Sequence, residues 1–159
     1  MTKFSIVFLQ FVIVLIGVVT ITFLLWAPLI EGRATNLNLF RIYTDPFVLL
    51  VYTTSIAFFA ALYHAFKLLR YIGQNKVFTS SAVKTLQKIK YCGITLCILI
   101  LFVGLYIKLF HSKEDDPAGF LAICIVTTFS SFVVATAAAI FEKLLQNAVD
   151  LKTENDLTV

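Results

Sequence analysis

Four apolar runs, each about as long as a bilayer is thick, take up most of this chain of 159 residues. They cover approximately residues 4–27, 46–69, 91–107 and 117–141. A helix needs about 20 apolar residues, with a range of roughly 17–25, to cross the hydrocarbon core. Lipid offers the backbone no hydrogen-bond partners, so a segment that crosses it must satisfy its own N–H and C=O groups, and a helix does this. Hydrophobic residues make up 60% of the chain and charged ones 14%. Soluble domains run nearer to 45–50% and about 25%, and a water-soluble fold of this length could not hide the excess. The fold class expected is all-α: one integral membrane domain, a four-helix bundle, with a connector at 70–90 and a tail at 142–159.

Local signals agree with these boundaries. Asp45-Pro46 and Asp116-Pro117 each precede a run. Aspartate caps free N–H groups, and proline at the first helical position has no N–H to lose. Trp26 and Pro28 mark the far end of the first run, where an interfacial aromatic belongs. The first run is longer than the ~7–15 apolar residues of a signal peptide and is followed by no small-residue cleavage site, so it is expected to stay as an anchor. Alternating the connections places Lys3, Lys67, Arg70, Lys76, Lys84, Lys88, Lys90, Lys143 and Lys152 on one side and Arg33, Arg41, Lys108 and Lys113 on the other. The richer side faces the cytoplasm by the positive-inside rule. Both termini are therefore expected inside, with Glu31–Asp45 and His111–Asp116 outside.

Small and polar residues recur at helical spacing within the runs. These are Gln10, Gly17 and Thr20 in the first, Thr53, Ala57, Ala60 and His64 in the second, Gly93, Cys97, Ile100 and Gly104 in the third, and Thr128, Ser131, Ala135 and Ala138 in the fourth. Membrane helices meet through such residues, so these stripes read as the inward faces. His64 and Gln10 lie at similar depths near the cytoplasmic end and are expected to pack as intramembrane polar groups, His64 near Gln10 or the small face of the fourth helix. A histidine alone, with no carboxylate inside any run, is a poor proton relay. Cys92, Cys97 and Cys124 sit in apolar surroundings without metal-ligand spacing. No H-E-x-x-H, G-x-S-x-G or phosphate-binding loop occurs. Neither a catalytic site nor a cofactor or metal site is expected.

The connector carries the remaining information. Gly73, Gln74 and Asn75 break the second helix, and Thr79-Ser80-Ser81 offers a hydroxyl cap for the next. Val83, Leu86 and Ile89 recur every three residues, with Lys84 and Lys88 beside them. This strip is a candidate docking surface for a cytoplasmic protein. Alternatively, the lysines fix topology and meet anionic lipid. The basic residues are too few for direct nucleic-acid binding.

From Lys67-Leu68-Leu69 through Lys76-Val77-Phe78-Thr79 to Val83, Leu86 and Ile89, the chain resembles the YoaS-like family of bacterial four-span membrane proteins. There a similar connector turns through Pro-Phe-Ser and continues as Asn-Val-x-x-Leu-x-x-Ile-Gly. The match falls on Phe78, Thr79, Val83, Leu86 and Ile89. Val77 stands where the family has Pro, Ala82 where it has Asn, and Lys90 where it has Gly. The resemblance implies a bacterial inner-membrane protein whose gene lies near that of a small helix-turn-helix transcription regulator. It carries over no catalytic residue.

The function expected is non-enzymatic: sensing a membrane state, or tethering a cytoplasmic regulator. The alternative is a small oligomeric channel or transporter with the polar stripes along its path. In either case the bilayer is the chain's first partner.

Overall fold

The computed structural model of the chain describes residues 3–30, 45–110 and 118–157. They form four helices: α1 (Lys3–Ile30), α2 (Pro46–Gly73), α3 (Ser80–Phe110) and α4 (Ala118–Leu157). All four are long and apolar enough to cross a membrane. The all-α, four-span reading therefore holds. The connections at 31–44 and 111–117, with the cap expected at Asp116-Pro117, lie outside the described residues.

Helix ends follow from the local chemistry. Asp45 is extended and its carboxylate accepts a hydrogen bond from Phe47 N–H at 2.9 Å, with Pro46 in the first turn. At the other end of α2, Lys76 N–H donates to Tyr71 C=O at 2.9 Å and Asn75 N–H to Ile72 C=O at 3.2 Å. This is the paired bonding of a Schellman cap, whose turn needs a left-handed residue. Asn75 takes that conformation, with φ 54°. The helix thus ends where Gly73-Gln74-Asn75 suggested, but asparagine supplies the left-handed turn instead of glycine. Thr79 then caps α3. Its carbonyl accepts from Ala82 and Val83 N–H, and its hydroxyl donates back to Lys76 C=O at 2.8 Å.

The connector at 70–90 is therefore no separate element. It is the last turn of α2, a tight reversal, and the first turns of α3. The tail likewise continues α4 as helix to Leu157.

α3 is the central helix, packed on α2 and most extensively on α4, while α1 makes extensive contact with α2 alone. The approach of α3 to α4 is close because Gly93 has no side chain. A methyl group built there would stand 2.9 Å from Ala135 Cβ. Farther along, Gly104 faces Cys124, and Cys97 Sγ lies 3.5 Å from Thr128 C=O. The glycine stripe of α3 thus meets the small face of α4. Phe47, Tyr106, Phe110 and Phe120 join the far ends of α2, α3 and α4, with ring centroids 5.0–6.2 Å apart in successive pairs. The start of α1 and the end of α4 lie at the opposite, basic end of the bundle.

Candidate functional site

The connector strip is inside the bundle. Val83 is 4% exposed and Leu86 and Ile89 are each 8% exposed. Ala82 and Thr85 are buried beside them. This corrects the expectation of an open apolar docking strip: Val83, Leu86 and Ile89 are packing residues. The physical reason is register. Gly93 against Ala135 and Lys90 against Glu142 set an antiparallel pairing, which carries the extension of α4 alongside the first turns of α3. Leu69 is buried at the neighbouring end of α2. Lys84 and Lys88 point away from this core and are exposed.

The same pairing builds an ion pair where the two helices leave the apolar segments. Lys90 Nζ lies 2.6 Å from Glu142 Oε2, and the ammonium also sits 5.0 Å from the Tyr91 ring centroid. The hydrogen bond from Lys90, then one from Gln87, hold the Glu142 carboxyl below its ordinary range, and that bond raises Lys90. No sequence signal links two residues 52 positions apart, so this partner was not legible beforehand.

His64 is placed differently from expectation. Its Nδ1 is buried and has no hydrogen-bond partner among the described residues. Its ring meets Tyr63 edge-on at 5.3 Å, and Lys67 and Lys88 are the charges near enough to act on it. His64 thus belongs to the α2–α3 side. Gln10 lies on α1, and among the described residues no hydrogen bond joins the two. Thr53, read as inward-facing, is exposed. The inward face of α2 runs instead through Thr54, Phe58, Ala61 and Ala65.

These residues, with α1, α3 and α4, line a cavity of about 610 Å³. Its wall carries hydroxyls, but each turns back on its own helix. Thr54 donates to Leu50 C=O, Thr127 to Ile123 C=O, Ser130 to Val126 C=O and Ser131 to Thr127 C=O, all at 2.7–2.9 Å. Ser55 and Thr20 do the same. A hydroxyl spent on its own backbone leaves its methyl or methylene to face the cavity, so the lining is chemically apolar. The three cysteines are free thiols, and among the described residues no three metal-ligating side chains converge.

Comparison with known proteins places this architecture. Residues 28–159 match the model of DUF2975, a family of proteins of unknown function. The chain belongs to this family. It is also 39% identical, over 162 aligned positions spanning all of both chains, to the uncharacterized membrane protein YoaS of Bacillus subtilis. No solved structure matches it. The resemblance read from the connector is therefore shown for the whole chain. This DUF2975 protein is a membrane protein, and the buried positions Val83, Leu86 and Ile89 are among those that carried the resemblance.

Proposed function

We propose that this is a non-enzymatic inner-membrane protein that tethers a small helix-turn-helix regulator at the cytoplasmic face. The observation that carries this reading is the extension of α4. From Glu142 to Leu157 the helix advances about 24 Å beyond its apolar segment. There Leu144 and Leu151 are 58% and 67% exposed. Exposed leucines on a helix outside lipid suit a protein partner. Lys84 and Lys88 are exposed on α3 toward the same end of the bundle. The partner's class comes from the family resemblance, and its contact surface moves from the buried strip to α4. Sensing of the membrane state is the companion reading, supported by the light attachment of α1.

The channel reading is the weaker one. An ion path needs polar groups aimed at the lumen, and here the hydroxyls are turned into their own helices. The test uses the full chain in nanodiscs and a purified helix-turn-helix regulator encoded beside it. Binding is expected with the native chain and should be lost in Leu144→Glu/Leu151→Glu, with insertion unchanged. No binding by the native chain, or equal binding by the variant, would overturn the proposal.

A further inference from the structure

α2 and α3 carry no acidic residue, since the chain has no Asp or Glu between Asp45 and Glu114. From Lys67 to Lys90 it has six basic residues. Lys90 is matched by Glu142 of α4, while Lys67, Arg70, Lys84 and Lys88 have no ion pair among the described residues. Two of these come together. Lys67 on α2 and Lys88 on α3 both stand close enough to His64 to act on it, so the three share the groove between those helices. Lys67 lies on the face of α2 opposite the residues that line the cavity, and this groove therefore faces out of the bundle. Lys88 is exposed and Lys67 half-buried, with the Lys67 ammonium 5.9 Å from the Tyr71 ring centroid.

The groove follows the polarity of a phospholipid. The apolar run of α2 ends near Leu69 and that of α3 begins near Tyr91, so both cations stand at the membrane boundary. Tyr63 and then Ile56 share the helical face of Lys67, and Tyr91 and then Ile98 share that of Lys88. All four are exposed. From the cations to these isoleucines each helix advances about 15–17 Å, the depth of one leaflet of a ~30 Å core. Cations, interfacial aromatics and aliphatic side chains thus succeed one another as headgroup, interface and acyl chains do. Two cations with no acid on either helix suit a phosphate that carries net negative charge. A zwitterionic headgroup would bring a further cation beside them.

We propose that the outward groove between α2 and α3 binds one anionic phospholipid, its phosphate held between Lys67 and Lys88. The proposal is independent of the tethering reading, whose contact surface is on α4. The test is native mass spectrometry of the full chain in detergent with dipalmitoyl phosphatidylglycerol, against phosphatidylcholine of the same chains. The native protein should retain one phosphatidylglycerol. Lys67→Gln/Lys88→Gln should reduce that retention at least fivefold, to the level of phosphatidylcholine, and Lys67→Arg/Lys88→Arg should keep it. Lys143→Gln/Lys152→Gln removes the same charge from α4 and should leave retention unchanged. Excess glycerol phosphate should not displace the lipid, because it lacks the chains that lie along the groove. Equal loss in the α4 variant would mean attraction to overall charge and no site. That result, no preference for the anionic headgroup, or displacement by glycerol phosphate would each overturn the proposal.

Discussion

Two single positions decide how the helices meet. A side chain at Gly93 must displace Ala135, whose Cα and N also lie within 3.3 Å of the added carbon. Backbone cannot swing aside as a side-chain tip can, so α3 and α4 would have to part. Gly93→Leu should lower stability by about 1–3 kcal/mol, the usual cost of overpacking, in detergent unfolding titrations. Gly119→Ala, with nothing within 4 Å of the added carbon, should be close to neutral. Asn75 holds φ 54°. Asn75→Val should cost about 1–2 kcal/mol, because a β-branched side chain is strained in the left-handed region that asparagine tolerates, and Asn75→Gly should cost nothing measurable by the same titration. The sequence marked this turn, but its reading could not say which of three adjacent residues would take the positive φ. The cap hydrogen bonds to Tyr71 and Ile72 decide that.

At the scale of elements, attachments differ in strength. α1 has a large apolar surface facing outward, and a cross-helix hydrogen bond, Tyr52 Oη donating to Leu24 C=O at 3.0 Å, helps tie it to α2. Cross-helix bonds in membranes average about 0.6 kcal/mol and reach about 1.7. Tyr52→Phe should cost no more than this, and faster hydrogen exchange should appear in α1 and not in α3. The α3–α4 hairpin is held differently, by the Gly93 contact and the Lys90–Glu142 pair. The pair is partly buried, with side-chain exposures of 22% and 15%, but it lies at the edge of the apolar segments where water still screens it. Such pairs contribute little, so Lys90→Met should lower the thermal midpoint by a few degrees at most, and the double swap Lys90→Glu/Glu142→Lys should restore it. The sign with pH follows from the directions of the two shifts. The Glu142 carboxyl is depressed, so its contribution is present above the ordinary carboxylate pKa and fades as pH falls through its lowered folded value. Lys90 is raised, so its part is lost only as pH climbs through its raised value. The gap between native and Lys90→Met proteins should therefore persist at neutral pH and close in acid, as thermal melts across pH would register.

For the molecule as a whole, orientation is the first quantity to measure. Nine basic residues against four argue for both termini inside. In a background lacking Cys92, Cys97 and Cys124, a cysteine at Asn36 should react with an impermeant thiol reagent in intact cells, and one at Asn155 should not. The reverse pattern would invert the topology and overturn the tethering proposal. The sequence by itself determined the four helices and their approximate ends, because bilayer thickness and backbone hydrogen bonding leave an apolar run of this length little choice. It also determined the glycine face of α3, since only small residues admit a close neighbour. Tertiary structure alone decided that Val83, Leu86 and Ile89 are covered. An apolar strip of period three looks the same whether it faces a partner or the chain's own α4, and only the antiparallel register tells the two apart. The same holds for Lys90 with Glu142, for His64 on the α2–α3 side, and for the apolar cavity. Each depends on which faces of separate helices come together, and that information lies in the packing between segments far apart in the chain.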